Sequence, residues 1–132
     1  MIISFGKTLH LLPNKSVTRR KWAPKQRERF VKAWREGNRR HQAYDKSPRN
    51  QGKHIGWVTL TKRPYREQLF RMPREHLALE GGDCKTVREF IDKYFEGVSD
   101  QWVTVVHFNY EPLNPEPATV PSIQEQTSLL DL

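Results

Sequence analysis

The sequence predicts an α+β fold in which a small, twisted or barrel-like sheet is flanked by helices. Runs of β-branched and aromatic residues, typical of strands, occur near both ends of residues 1–110 and in the middle. Amphipathic segments of uneven length separate these runs, and the resulting sheet must close over a small core. At 132 residues the chain can bury one such core, so we expect a single domain over residues 1–110.

Three segments have the composition of strands. MIISF at the N-terminus is followed by Gly6, HIGWVTLTKRPY lies mid-chain, and QWVTVVHFNY is the predicted final strand. In the final strand, Val103, Val105 and His107 are expected on one face. The segment REQLFRM is expected to continue the sheet.

Three segments predict helices. PKQRERFVKAWREG has Pro24 in its first turn and Gly37 at its end, and PREHLALE is a shorter candidate. CKTVREFIDKYFEG has the clearest helical period, with apolar residues at positions i, i+3, i+4 and i+7 from Val87.

The remaining segments predict loops and a tail. PNKSVTRRKW and the polar stretch NRRHQAYDKSPRNQGK are expected to be surface loops, the second one mobile. Residues 111–132 are rich in proline and acidic, which predicts a flexible, disordered tail.

The net charge of +8 is distributed unevenly. Residues 1–53 carry 15 Lys and Arg against 3 Asp and Glu, residues 54–110 carry 8 of each, and residues 111–132 carry 4 acidic residues and no base. A strongly basic half attracts polyanions, and nucleic acid is the commonest polyanion in the cytoplasm. The alternative is that the charge serves solubility alone.

Several classes of protein are disfavoured. No segment has the uninterrupted apolar stretch of a membrane span or a signal peptide, so we expect a soluble, cytoplasmic protein. The single Cys84 excludes an internal disulfide and a cysteine-based zinc site. The five histidines lack the spacing of metal ligands, so neither a metal nor a cofactor is expected.

Three motifs in this order resemble the ASCH domain, a small β-barrel family related to the PUA RNA-binding fold. They are NKSVTRRKW after the first strand, LEGG before the amphipathic helix, and WVTVVHF in the last strand. The family pattern of a turn residue, Lys, two residues, Glu or Thr, one residue and Arg matches Asn14, Lys15, Thr18 and Arg20. The resemblance covers about residues 1–110 and implies the PUA-like barrel.

The resemblance implies two kinds of function. ASCH and PUA-like domains as a class bind RNA or nucleotides, and some small members resemble amidohydrolases acting on N4-acetylcytidine through a Lys, a Thr and a Glu. Carried onto this sequence, these residues are Lys15, Thr18 and Glu80, with Glu75 as the competing acidic residue.

The chemistry of these residues leaves two roles open. Neighbouring cations lower the pKa of a lysine by repulsion, so Lys15 would be a general base and Thr18 would be the nucleophile or polarise water. Glu80 would orient Lys15 or shuttle a proton. A close pair with Glu80 would instead favour the charged ammonium, and the two residues would then form a structural salt bridge lining a binding pocket.

Other basic and aromatic residues predict contacts with nucleic acid. Arginine meets phosphate with two hydrogen bonds, and tryptophan rings can stack on bases. Core packing is the alternative for Trp22, and also for Trp34, which lies on the apolar face of its helix. The predicted nucleic-acid contacts are Arg19, Arg20, Lys21, Trp22, Arg39 and Arg40.

The last seven residues, QTSLLDL, resemble the peptide that binds the bacterial sliding clamp. Gln126, Ser128, Leu129 and Leu130 fit that pattern, and Thr127 departs from it. The sequence therefore suggests a clamp-recruited adaptor through Gln126, Leu129 and Leu130. The alternative is a terminal helical turn that packs on its own domain.

Overall fold

A computed structural model of the chain describes residues 1–113, which form an α+β fold with a curled, half-barrel sheet. Short 3-10 helices also occur, the longest at Gly6–Asn14. The strands are β1 Ile2–Ser4, β2 Val17–Arg20, β3 Arg40–Tyr44, β4 His54–Leu60, β5 Tyr65–Gln68 and β6 Trp102–Pro112. The α-helices are α1 Pro24–Arg35, α2 His76–Leu79 and α3 Val87–Phe95.

Strand β6 organises the sheet. Its first half pairs with β5 and β2 on opposite edges, and its second half pairs with β4, all antiparallel. Beyond β4 the sheet continues through antiparallel β3 to parallel β1, in the order β1-β3-β4-β6-β2. Because one long strand takes part in both halves, the sheet must curl along it.

The two faces of β6 border two hydrophobic clusters. Val106 and Phe108 join the cluster that contains Phe30 of α1, whereas Val103 joins the cluster that contains Phe90 and Ile91 of α3. Residues 103–108 are therefore buried on both faces. Their continuous apolar and β-branched run is the sequence signature of a strand covered on both sides.

The two main helices form as their sequences predict. Helix α1 has Pro24 at its first position and buries Phe30 and Val31. Helix α3 begins after Thr86, whose hydroxyl accepts a hydrogen bond from the backbone N–H of Glu89 at 3.0 Å. The N-terminal, mid-chain and final strands are likewise confirmed, and REQLFRM is partly confirmed because Tyr65–Gln68 forms β5.

Two segments predicted as loops are strands. Residues 17–20 of PNKSVTRRKW form β2, and residues 40–44 of the predicted mobile loop form β3, which lies between β1 and β4. The composition of β3 predicts a loop because few of its residues are apolar. Only His41 and Ala43 point inward, whereas the other three residues point away from the core. Pairing on both edges of β3 outweighs the weak strand propensity of its residues.

The half-barrel stays open between β1 and β2, which do not pair with each other. Arg20 crosses this opening, because its guanidinium donates a hydrogen bond to the backbone carbonyl of Ser4 at the end of β1. The same guanidinium lies 4.9 Å from the ring centroid of Phe5. A side chain thus joins the two edge strands where a closed barrel would use backbone pairing.

None of the helices within residues 1–113 has the length and apolar character needed to cross a membrane. The strand β6 runs to Pro112, two residues into the segment predicted as a tail. The rest of that segment, including the candidate clamp-binding peptide at Gln126, Leu129 and Leu130, lies outside the described residues.

The Gly56→Ala substitution tests the packing of β4 against β6. A Cβ at this position would lie 2.5 Å from the carbonyl oxygen of Glu111 and 2.8 Å from a ring carbon of Tyr110, so the strands must separate. We expect the free energy of unfolding to fall by about 1–3 kcal/mol, measured by urea denaturation. Thr59→Ala, at an exposed position of the same strand, is the control and should change stability far less. Equal stability of the two variants would contradict this packing.

Candidate functional site

A pocket of about 200 Å³ lies where the start of β2 meets the Gly6–Asn14 segment, the end of α2 and helix α3. Its walls combine cations with aromatic rings. The polar lining residues include Lys7, Lys15, Thr18, Arg20, Lys21 and Glu80. The aromatic lining residues are Phe5, Phe90, Tyr94 and Phe95.

Lys15 and Glu80 form a buried ion pair in this pocket. The Nζ of Lys15 lies 2.7 Å from Oε1 of Glu80 and also donates to the backbone carbonyl of Glu80 at 3.0 Å. Local backbone structure sets this contact, because the N–H of Ser16 donates to the carbonyl of Leu79 at 2.8 Å. The bond holds the end of the 3-10 helix against the end of α2, so the residues next to it face each other.

The carboxylate of Glu80 is shared with a second cation. Its Oε2 accepts a hydrogen bond from Nη1 of Arg19 at 2.8 Å, and both side chains are almost completely buried. Burial lowers the pKa of Lys15, and the attraction of Glu80 opposes that shift without cancelling it. Arg19 also neutralises this carboxylate. Glu80 therefore stabilises the charged form of Lys15 less than it would if Lys15 were its only partner.

Arg19 extends the polar contacts away from the pocket. Its Nε donates to Oε1 of Glu67 at 2.9 Å, and its Nη2 lies 2.7 Å from Nδ1 of His76. The ring of His76 packs edge-on against His107, with centroids 5.4 Å apart. His107 Nε2 in turn lies 2.9 Å from the hydroxyl of Tyr65. A polar chain therefore runs through the interior from Lys15 to an exposed tyrosine on β5.

Thr18 and Arg20 form the part of the pocket nearest β1. The hydroxyl oxygen of Thr18 accepts a hydrogen bond from Nε of Arg20 at 3.1 Å, which leaves its proton available to another acceptor. Burial lowers the pKa of Arg20 to about 10, and this group remains a cation at neutral pH. Thr18 is buried and faces the core side of β2, in register with Val106 of β6.

The structure brings together most of the residues singled out from the sequence. Lys15, Thr18, Arg19, Arg20, Lys21 and Glu80 all line the same pocket. Glu80, and not Glu75, contacts Lys15, since Glu75 is exposed and lines a separate hollow. Arg19 is buried against carboxylates, whereas the predicted phosphate contact Lys21 is exposed.

The other predicted nucleic-acid contacts lie elsewhere. Trp22 stacks on Phe30 with centroids 4.3 Å apart and packs against the core. Trp34 also packs against the core, and the guanidinium of Arg39 covers its ring at 3.6 Å. Arg39 and Arg40 are exposed and are not among the residues that line the pocket.

Sequence reasoning missed the partners that surround the central pair. Glu67 and His76 contact Arg19, and Lys7 and Tyr94 line the pocket, although no motif marks any of them. For Tyr94 the helical period shows only that it lies on the apolar face of α3. Within residues 1–113 no cluster of His, Cys, Asp and Glu side chains is arranged to hold a metal ion.

Comparisons with protein-family models, with curated proteins and with solved structures gave no significant match. The resemblance to the ASCH domain therefore stays a prediction. What the site can do must be argued from its geometry and charge.

Lowering the pH should weaken the fold through His107. Burial lowers the pKa of His107 from 6.5 to about 4, and the charges of Lys62, His76 and Arg19 act in the same direction. Between these two pH values the unfolded chain binds a proton that the folded chain does not, so the free energy of unfolding decreases as the pH falls through this window. Urea denaturation at pH values across the window measures this decrease.

The His107→Gln variant should show a smaller decrease than the unmodified chain. Burial also lowers the pKa of His41 to about 4. His41 therefore accounts for part of the decrease in the free energy of unfolding that remains in this variant. His10→Gln, at an exposed position, is the matched control and should retain the full pH dependence. An identical pH dependence in His107→Gln and the unmodified chain would contradict the buried, neutral state of His107.

Proposed function

We propose that the chain is an ASCH-type domain that binds a nucleotide or nucleoside unit, free or from RNA, in the pocket around Lys15, Thr18 and Glu80. The observation that carries this proposal is the combination in one small pocket of a buried lysine, a cationic rim and an aromatic wall. The convergence of Lys15, Thr18 and Glu80 also supports it, because these are the positions that the resemblance implies.

The two sides of the pocket suit the two parts of a nucleotide. Lys7 and Lys21 are exposed lining residues, and within residues 1–113 neither has an ion-pair partner that a phosphate would have to displace. Phe5, Phe90 and Tyr94 offer apolar and aromatic surface, on which a base can pack. A ligand that joined an anion to a flat ring would use both sides.

The pocket suits one unit better than a long strand of RNA. Its volume is about 200 Å³, which admits a base but not several successive nucleotides. The side chain of Arg19 is committed to Glu67 and Glu80, and that of Arg20 to Thr18 and Ser4. The charges of these arginines contribute to the local potential, while direct phosphate contact falls to the exposed lysines.

A second candidate function is hydrolysis of an N4-acylated cytidine, and the lowered pKa of Lys15 favours it. A buried lysine with a lowered pKa in a pocket is typical of functional sites. The sharing of Glu80 between Lys15 and Arg19 reduces the main electrostatic objection, which is that the carboxylate would keep Lys15 charged.

In this second function the neutral amine of Lys15 would take a proton from the attacking oxygen, which belongs to Thr18 or to water. The oxygen would add to the acyl carbonyl, and the guanidinium of Arg20 would stabilise the negative charge that develops there. Lys15 would then return the proton to the departing amino group of cytidine. If Thr18 is the attacking group, the acyl group remains on its oxygen as an ester, which a water would then hydrolyse with Lys15 again as the base. By either route the net reaction consumes one water and releases a carboxylic acid and cytidine.

Removing the exposed lysines tests the binding proposal. We expect the Lys7→Ala and Lys21→Ala variants each to bind cytidine monophosphate more weakly and with a shallower dependence on salt, because each loses a charge contact that salt screens. Isothermal titration at several salt concentrations measures both effects. Lys25→Ala, an exposed lysine outside the pocket, is the control. Binding that ignored salt, or that changed equally in the control, would refute the assignment.

Replacing Lys15 tests the catalytic proposal. If the protein hydrolyses N4-acetylcytidine, Lys15→Met should reduce the rate by about 10²–10⁴-fold, because the base is lost while its apolar stem is retained. The rate of hydrolysis is measured by chromatography of the cytidine product and by the amount of acetate released. Lys25→Met is the matched control, and circular dichroism establishes that the variant is folded. Turnover that survived in folded Lys15→Met would eliminate Lys15 as the base.

A further inference from the structure

A row of arginine and aromatic side chains lies on the outward face of β3 and β4, apart from the pocket. We call Arg40, Trp57, His54 and Tyr44 the arginine–aromatic row. The guanidinium of Arg40 lies 4.1 Å from the ring centroid of Trp57. The centroid of His54 lies 4.8 Å from that of Trp57 and 5.7 Å from that of Tyr44. His54 meets Trp57 edge-on and stacks on Tyr44, so the four side chains form one continuous row of contacts.

A β-bulge produces this row. The register between β3 and β4 shifts between Ala43 and Tyr44, so that Tyr44 pairs with His54 while Ala43 pairs with Gly56. Strict alternation would place His54 on the core side with Val58. The extra residue, Ile55, packs against the core, and His54 joins Trp57 on the outward face. The ring of His54 is held there by a contact of 2.8 Å between Nε2 and the carbonyl of Gly56.

The segment around the row is strongly basic. Residues 39–53 contain one acidic residue, Asp45, whose carboxylate accepts a hydrogen bond from the N–H of Lys53 at 2.7 Å. All the cations of the segment are exposed: Arg39, Arg40, Lys46, Arg49 and Lys53. The row therefore lies in a positive potential that favours a polyanion.

We propose that the arginine–aromatic row binds single-stranded nucleic acid. Unpaired bases can stack on aromatic rings and on the planar guanidinium of an arginine, whereas the bases of a duplex are stacked on each other and cannot. The exposed cations of residues 39–53 would meet the phosphates between the stacked bases. None of the residues of this surface lines the pocket, so the proposal is independent of the proposed function.

Glu111 offers a way to strengthen this interaction. It lies on the neighbouring strand β6, directly across from Trp57, and its Oε1 is 3.5 Å from Nη2 of Arg40. Both side chains are largely exposed, so the pair holds Arg40 weakly. A phosphate would compete with Glu111 for Arg40 and would be repelled by its charge. Removing that charge should therefore improve binding.

The test measures the binding of a short fluorescent oligouridine to the full chain by fluorescence anisotropy. We expect Trp57→Leu and Tyr44→Leu each to weaken binding by about tenfold, which corresponds to the loss of one stacked base. Glu111→Gln should tighten it by about twofold to fivefold. The matched controls are Trp102→Leu, which removes another exposed arginine-capped tryptophan, and Arg88→Ala, which removes an exposed cation of α3.

Three outcomes would overturn the proposal. The first is wild-type affinity in both folded leucine variants at the row. The second is evidence of non-specific attraction of polyanions. This would be equal affinity for oligouridine and for a duplex of the same length, or displacement of both nucleic acids by heparin together with unchanged affinity in Trp57→Leu. The third is weaker binding in Glu111→Gln. Cytidine monophosphate binding, measured in parallel, should be unchanged in the row variants, which separates a failure here from a failure of the pocket proposal.

Discussion

The carboxylate of Glu80 lies between two buried cations, Lys15 and Arg19, and the geometry of the pocket depends on this arrangement. Burying a charge without a partner costs several kcal/mol, so the two buried cations depend on the carboxylate that they share. The contact joins two consecutive elements, the Gly6–Asn14 helix and strand β2, to the end of α2, because Glu80 lies 65 residues from Lys15 and 61 from Arg19. Removing Glu80 would leave Lys15 buried without a carboxylate partner, at a cost of about 3–5 kcal/mol.

The same arrangement connects stability with function. Replacing the three groups by well-packed apolar side chains would often cost a protein nothing in stability, so stability alone does not explain their retention. They lie at the wall of an open pocket, and the pKa of Lys15 is lowered there by burial. A site that binds or transfers protons needs such a group, whereas a purely structural contact does not.

The open half-barrel explains why the two proposed binding surfaces differ in character. Near the opening between β1 and β2, side chains such as Arg20 replace backbone pairing, and a pocket forms behind them. On the outward face of β3 and β4 both strands pair along both edges, and a bulge changes which side chains point outward. The first surface is concave and suits a single unit, whereas the second is a platform and suits a strand.

The lowered pKa of His107 makes the charge of the polar chain behind the pocket depend on pH. This chain runs from Arg19 through His76 and His107 to Tyr65. Its two histidines are uncharged near neutral pH, because burial lowers the pKa of both. Protonation at lower pH would place new positive charge beside Arg19. Fold stability and the charge around Glu80 are therefore coupled to the same acidic window.

The sequence by itself determined the elements with strong local signals. The helical period and proline of α1, the helical period of α3, and the β-branched and aromatic composition of β6 all correspond to observed elements. The grouping of Lys15 with Thr18 was implied by the resemblance of NKSVTRRKW to the ASCH motif. These features depend on contacts within a few residues, which a pattern can report.

Only the tertiary structure decided the rest. Strand β3 forms because β1 and β4 pair with its two edges, and its own residues resemble a loop. Arg19, predicted to meet phosphate, is instead a partner of Glu80, and the choice of Glu80 over Glu75 depended on which carboxylate the end of α2 places beside Lys15. Long-range pairing and the burial of charge depend on residues that are distant in sequence, so no local pattern encodes them.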